Sequence, residues 1–187
     1  MFGALRSDDN DAAHARQEPL LALCVLAGIA GVLASDVAAR LLDDPEFDNL
    51  TIAVWAFVGG AVYGIGGYWL VGGIVYVAAR AFGSLGSYQR ARHVVGFAAA
   101  PVALSLFALW PVGLAVFGSD LFRTGGSDSG SAGELFDAAQ LAFVGWALAL
   151  LVIGVRAVHG WSWLRAGATV ALAAAPVALF IVAERLA

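Results

Sequence analysis

The sequence predicts an all-α fold, namely a polytopic transmembrane helical bundle of about five helices. Of its 187 residues, 61% are hydrophobic and only 13% are charged, whereas roughly a quarter of an average soluble domain is charged. The mean hydropathy is +0.84. The apolar residues also come in blocks close to or above the roughly 20 residues of helix that cross a bilayer. Lipid is therefore the expected solvent of most of the chain.

Charge and cysteine content exclude several function classes. The formal net charge is −4 and the sequence has no lysine and no basic stripe, so nucleic acid is not an expected partner. The lone cysteine, Cys24, lies in an apolar run and is interpreted as a buried, inert thiol. His14, His93 and His159 are too scattered to suggest a metal site, and no cofactor is predicted.

The chain divides into a tail and a transmembrane domain. Residues 1–19 are polar and lack an apolar period, so we predict a disordered tail there and a transmembrane domain over residues 20–187. The first span is predicted at about residues 20–42. A cleaved signal peptide is the alternative for this segment, since Val32 and Ala34 fit the small-residue cleavage rule, but the acidic tail favours an uncleaved helix.

The second span, at about residues 51–79, is free of charge and longer than a perpendicular crossing requires. We therefore expect it to tilt or bend. Within it, Ala56, Gly60 and Gly64 place small residues at every fourth position on one helix face. Such stripes allow helices to approach closely in lipid, so we predict that another helix packs on this face.

The remaining spans are predicted at about residues 94–118, 136–158 and 164–183. Prolines occur in two of them, with Pro101 and Pro111 in the third span and Pro176 in the fifth. Membrane helices tolerate proline where neighbouring groups satisfy the freed carbonyls. The prolines therefore predict kinks within continuous spans.

The distribution of arginine predicts the orientation of the chain. When sides alternate through five helices, seven of the ten arginines fall on the side of the N-terminus. By the positive-inside rule, this places the N-terminus in the cytoplasm and the C-terminus outside, in a multi-pass protein of the cell membrane. A cleaved first segment would leave the orientation of the later helices unchanged.

Two turns on the predicted cytoplasmic side carry the most distinctive side chains. The first turn holds Arg80, Arg90, Arg92 and His93, and the second holds Arg156, His159 and Arg165. These side chains are candidates for contacts with anionic lipid headgroups or with a partner protein. The alternative is that the arginines only anchor the topology.

One heptapeptide, AAAPVAL, occurs at residues 98–104 and again at 173–179. Each copy follows an Arg-Ala pair at the same distance, at residues 90–91 and 165–166. We interpret this as a parallel duplication of a two-helix hairpin, in which the second and third helices repeat as the fourth and fifth. The alternative is coincidence in a chain rich in alanine and valine.

The stretch GSLGSYQRARHVVGFAAAPVAL, residues 83–104, follows a Gly- and Tyr-rich helix and resembles the Yip family of small multi-helix membrane proteins. Gly96, Phe97 and Pro101 stand where that family typically has a Gly-Tyr pair and a proline. The resemblance, over roughly residues 20–185, implies a five-helix fold with a cytoplasmic N-terminus. In eukaryotes the family is associated with Rab-type GTPases and early secretory trafficking. With its short tail and Phe97, the chain is similar to prokaryotic-type members.

The predicted spans hold no ionisable group near their centres, because Asp137, Arg156 and Glu184 all fall near helix ends. Ionisable groups at the midplane are costly and are usually kept for function. We therefore predict a non-catalytic protein that organises membrane lipid, a membrane-protein partner or further copies of itself. A small permease or channel with a neutral polar path between the hairpins is the alternative, and an enzyme acting on lipid ranks third.

Overall fold

A computed structural model of the chain describes the backbone of residues 10–186 and the side chains of residues 17–176. Within this range the fold is all-α and contains no strand. The α-helices are α1 (Asn10–Leu33), α2 (Asn49–Ala81), α3 (Tyr88–Ala98), α4 (Ala100–Ala108), α5 (Trp110–Phe117), α6 (Ser131–His159) and α7 (Trp163–Leu186). Short 3-10 helices lie at Ala38–Asp43, Gly118–Phe122 and Ser127–Ser129. The predicted all-α class is confirmed.

Three helical segments of the described chain are long and apolar enough to cross a membrane. They are Asn49–Ala81, Tyr88–Phe122 and Ser131–His159, and they include the second, third and fourth predicted spans. Helix α1 contributes a shorter apolar helix, Gln17–Leu33, and α7 covers the predicted fifth span. The folded chain therefore has the long apolar helices from which a transmembrane bundle was predicted.

Helix α1 begins nearer the N-terminus than predicted. It starts at Asn10, so residues 10–19 of the predicted disordered tail are helical, while residues 1–9 lie outside the described range. Once nucleated in the apolar run, a helix extends at little cost through good helix formers such as Ala12 and Ala15. The polar composition of the tail is therefore compatible with helix.

Helix α1 also ends earlier than predicted. Its last residue is Leu33, and a short turn leads into the 3-10 helix Ala38–Asp43. The Ser35 hydroxyl donates to the Val32 carbonyl at 2.6 Å and accepts the Ala38 amide at 3.3 Å. Such local side-chain bonds compete with helical ones, which explains why the helix stops here.

The third predicted span is divided into α3, α4 and α5. Each division lies two residues before a proline, at Ala99 before Pro101 and at Leu109 before Pro111. Proline lacks the amide that would bond the carbonyl four residues earlier, so one helical hydrogen bond is missing at each division. The backbone still follows the helical path there, because Ala99 and Leu109 have right-handed helical dihedral angles. Pro176 lies within α7, which is continuous. The kinks proposed at these three positions stay predictions.

The chain forms two compact units, each with its own core. Unit 1 comprises the described residues up to Leu20, residues Tyr68–Ala98 and the described residues from Leu148 onward. Unit 2 comprises Leu21–Gly67 and Ala99–Ala147. The core of unit 1 includes Val75, Val94, Val155, Ala166 and Val170. The core of unit 2 is more aromatic and includes Ala30, Ile52, Trp110, Phe117, Phe122 and Phe136. The arginine-bearing turns belong to unit 1.

Two members of the predicted small-residue stripe of α2, Gly60 and Gly64, pack against α1 in unit 2. A β-carbon at Gly28 would lie 2.2 Å from the Gly60 carbonyl oxygen, and one at Gly64 would lie 2.3 Å from the Cys24 carbonyl oxygen. Ala56, the third member of the stripe, is 4% exposed. The glycines therefore let the two backbones meet directly, as small residues do between membrane helices.

Candidate functional site

The two arginine-bearing turns of unit 1 share one local build. The first turn joins α2 to α3, and the second joins α6 to α7. Each contains a glycine with positive φ just past the preceding helix, Gly83 at 79° and Gly160 at 67°, which glycine tolerates without steric cost. Each then leads to a serine, Ser87 or Ser162, whose hydroxyl accepts the amide of the arginine three residues later. The serines cap the helices that follow.

Hydrogen bonds join the two turns to each other. Ser84 Oγ lies 2.7 Å from His159 Nε2, and His159 Nδ1 lies 2.9 Å from the Val155 carbonyl. Because a carbonyl can only accept, Nδ1 carries the proton of the neutral ring and the Ser84 hydroxyl donates to Nε2. Arg165 Nη2 donates to the carbonyl of Phe82. These bonds hold the turns side by side at one end of unit 1, which we call the arginine end.

Three exposed arginines at the arginine end each lie over an aromatic ring. The distance from guanidinium carbon to ring centre is 5.5 Å for Arg80 over Tyr76, 4.4 Å for Arg156 over Trp163 and 4.3 Å for Arg165 over Trp161. Contacts of this kind are worth about 0.5–1 kcal/mol at exposed sites. The rings restrict the positions of the charges without neutralising them.

Arg92 is buried in α3, with 7% of its surface exposed. Its guanidinium carbon lies 3.7 Å from the Trp69 ring centre, 4.8 Å from that of Tyr88 and 5.4 Å from that of Tyr68. Its Nε and Nη1 atoms have no hydrogen-bond partner among the described residues. A β-carbon at Gly72 would lie 2.5 Å from Arg92 Cγ, so this glycine makes the room. The three rings form an aromatic box that takes the place of polar acceptors around the cation.

The predicted surface cations are therefore divided into two groups. Those that reach the surface are Arg80, Arg90, Arg156, His159 and Arg165. Arg92 and His93 are only 7% and 2% exposed, which corrects their predicted place on the turn surface. The reason is that α3 begins at Tyr88 and not near residue 94, so both side chains lie in the first turns of a packed helix.

Comparison with known protein families decides the assignment of the chain. The family model described as the Yip1 domain matches residues 11–183, which is nearly the whole chain. The chain belongs to the Yip family. Comparison with the curated proteins and with the solved structures gives no match. The resemblance carried by residues 83–104 is thereby confirmed.

In this Yip-family chain, sequence reasoning did not find the pairing of Ser84 with His159. A serine hydroxyl bonded to a histidine is typical of an activated nucleophile. Here, however, Ser84 is 6% exposed and His159 Nδ1 bonds a carbonyl of its own helix. We therefore interpret the pair as a link between turns. No local signal could have shown it, because 75 residues separate the partners.

The sequence analysis also did not identify the aromatic partners of the arginines, although the positions of two of them in the sequence could have indicated the contact. Tyr88 and Trp163 directly follow the capping serines Ser87 and Ser162. An aromatic residue at the start of a helix whose neighbours include arginine is placed for a cation–π contact.

Among the described residues of this Yip-family protein, no group of three or more His, Cys, Asp or Glu side chains is arranged to hold a metal.

Proposed function

We propose that this Yip-family membrane protein is non-catalytic and organises anionic lipid or a partner protein at its arginine end. The observation that carries the proposal is the set of exposed arginines held over aromatic rings, Arg80, Arg156 and Arg165. Each arginine near an anionic bilayer surface contributes about 1 kcal/mol of attraction. Charges already held in position lose less conformational entropy when they bind a headgroup.

Exposed apolar side chains in the same turns support contact with a bilayer. Leu85 is 93% exposed and Leu164 is 87% exposed. Trp163, which lies beneath Arg156, is 57% exposed. Tryptophan and arginine together with projecting leucine suit the boundary between headgroups and hydrocarbon, where apolar atoms and charges are both accommodated.

We infer that the arginine end faces the cytoplasm in a multi-pass protein of the cell membrane, with the N-terminus inside and the C-terminus outside. The chain offers a clean test because its only cysteine, Cys24, is buried. In intact cells, Leu85→Cys is expected to resist a membrane-impermeant maleimide until the membrane is opened. Ser129→Cys, in the exposed loop before α6, is expected to react at once. The reverse pattern would contradict the orientation.

Lipid preference tests the proposed function. Full-length protein is reconstituted in phosphatidylcholine with either spin-labelled phosphatidylglycerol or spin-labelled phosphatidylcholine, and the motionally restricted fraction of each lipid is measured. We expect a preference for phosphatidylglycerol that falls about fivefold in Arg156→Gln. Arg123→Gln, an exposed arginine of unit 2, is the matched control and should behave as the wild type. Equal restriction of both lipids by the wild-type protein would contradict anionic-lipid organisation.

A small permease or channel is the second candidate, and buried Arg92 is the observation that favours it. Ionisable residues buried within membrane helices often mark a transport path. Flux of ions or small solutes into proteoliposomes separates the two functions. We expect no flux above that of empty liposomes, and a flux that Arg92→Met abolishes would favour the permease.

A further inference from the structure

Unit 1 contains an open apolar groove of about 670 Å³ along α2. Its walls include Trp69, Gly73, Tyr76 and Ala81 of α2, and Leu172 and Pro176 of α7. The volume lies within the roughly 300–1,000 Å³ usual for small-molecule sites. From Trp69 to Ala81 the groove follows α2 for about 18 Å, at 1.5 Å per residue. A single acyl chain is a suitable occupant of such a narrow apolar trough.

Two arginines place positive charge on the aromatic wall of this groove. The guanidinium of Arg80 lies over the Tyr76 ring, and that of Arg92 lies over the rings of Trp69 and Tyr88. All three rings line the groove, and none of the lining residues that the structure describes is acidic. Arg80 is exposed, near the end of α2 at the arginine end. The groove is therefore lined by apolar side chains, and two cations lie against the aromatic rings of its wall.

We propose that this groove binds one anionic phospholipid, with an acyl chain along α2 and the phosphate at Arg80. The inference rests on the proposed function, because it assigns a defined lipid site to the arginine end. An uncharged helix of a partner protein would fill the apolar trough but would leave Arg80 without a compensating charge. The phosphate of a lipid supplies that charge by a charge-assisted hydrogen bond. The buried cation at Arg92 adds attraction without touching the ligand.

Gly73 allows the groove to be filled without disturbing the helices. A β-carbon at Gly73 would meet only Tyr88 Cε2, at an ordinary contact distance of 3.7 Å. Gly73→Leu therefore places its side chain in the groove. The matched control is Gly66→Leu on the same helix, because a β-carbon at Gly66 meets nothing within 4 Å. Leu172→Trp fills the groove from α7 and provides a second, independent variant.

Native mass spectrometry of the full chain tests the site after extraction from vesicles of phosphatidylcholine and phosphatidylglycerol. We expect the wild type and Gly66→Leu to retain one phosphatidylglycerol per chain through detergent exchange. Gly73→Leu and Leu172→Trp should retain about tenfold less. Arg80→Gln should keep a lipid but lose the preference for phosphatidylglycerol. Melting temperatures of all variants confirm that each is folded before retention is compared.

Three results would overturn the site. They are full retention in both folded groove-filling variants, equal retention of phosphatidylcholine by the wild type, or a complex of two chains in place of a lipid adduct. The failure of this site is distinguishable from that of the proposed function. The spin-label preference is tested at Arg156, which does not line the groove, and so would survive if only the groove were empty.

Discussion

At the scale of single residues, the least expected feature is a cation buried among rings. An arginine side chain this close to a turn is long enough to reach solvent. The guanidinium of Arg92 lies instead over the Trp69 ring and against Tyr68 and Tyr88. Burying a charge is costly unless something compensates for lost hydration. A desolvated cation–π contact contributes about 2 kcal/mol, and three rings share the cation here. The box therefore explains how an arginine is tolerated inside a largely apolar core.

The box predicts an energetic coupling between Arg92 and Trp69. In a double-mutant cycle of Arg92→Met and Trp69→Leu, the coupling free energy should be about 1–2 kcal/mol, because each single change removes the same contact. Chemical unfolding in detergent micelles gives the four free energies. Arg123→Met paired with Trp69→Leu is the control and should be additive within about 0.5 kcal/mol. An additive result for Arg92 would mean that the ring stacking contributes no stability.

A carboxylate in unit 2 carries a prediction about pH. The Thr124 hydroxyl and then its amide donate to the Asp43 carboxylate, and these bonds hold the pKa of that group below its ordinary value of 3.8. A lowered folded-state pKa means that the stabilisation is present above pH 3.8 and is lost as pH falls through the folded value. The protection factor of the Thr124 amide, which is its exchange rate relative to that of an unstructured peptide at the same pH, should therefore fall only below pH 3.8.

The matched variant for this pH effect is Asp43→Asn. The protection factor of its Thr124 amide is expected to be lower than that of the wild type at neutral pH and to change little on acidification. Asp44→Asn, at the neighbouring position, is the control and should leave Thr124 protected. If Asp43→Asn retained the loss of protection in acid, another group would be responsible for it.

At the scale of helices, the packing of α1 on α2 depends on glycine. A β-carbon at Gly64 would lie 2.3 Å from the Cys24 carbonyl oxygen and 2.6 Å from Val25 Cα, so even alanine requires the backbones to separate. Overpacking of this kind costs about 1–3 kcal/mol. Gly64→Ala should lower the free energy of unfolding in micelles by that amount. Gly66→Ala, two residues away in open space, should change it little or raise it slightly.

A Gly64→Ala variant as stable as Gly66→Ala would show that the contact between α1 and α2 is looser than described. The same measurement extends to Gly60. Its β-carbon would lie 2.5 Å from Ile29 Cα, and a similar loss of stability is expected for Gly60→Ala.

The position of α2 and its small-residue face could be predicted from the sequence alone. The uncharged run over residues 51–79 predicted α2 to within two residues at each end, because apolar length alone decides a membrane helix. The small-residue face at Gly60 and Gly64 could be predicted from the sequence, because residues at every fourth position lie on one face of a helix. Spacing along one helix, however, does not tell which neighbour that face meets.

The arginine end was less predictable, for a different physical reason. Hydropathy placed Arg92 outside the third span because it counts an arginine as polar wherever it stands. Its burial depends on Trp69, which lies 23 positions earlier in the chain, and on Gly72, which makes room for its side chain. Contacts between separate helices are set by tertiary packing, and a single sequence does not contain their geometry.

At the scale of the whole chain, the two hairpins of unit 1 have turns of the same local structure, but the residues that follow these turns differ. The capping serines Ser87 and Ser162 lie at the offset at which AAAPVAL recurs, which agrees with the duplication hypothesis. At that same offset, Arg92 and His93 correspond to Gly167 and Ala168. The buried cation and its box are therefore confined to the first hairpin, which also supplies the aromatic wall of the proposed lipid groove.

If the hairpins stabilise each other, then breaking their link should loosen both. The Ser84 hydroxyl donates to His159 across the two turns, and leaving this half-buried acceptor without its donor costs about 1 kcal/mol. In Ser84→Ala, hydrogen exchange should accelerate by a similar factor in the last turns of α2 and of α6, since opening either hairpin exposes the other. Ser129→Ala, in an exposed loop of unit 2, is the control and should alter neither. Acceleration confined to the turn around residue 84 would show instead that each hairpin is stable alone and that the hydrogen bond only fixes their orientation.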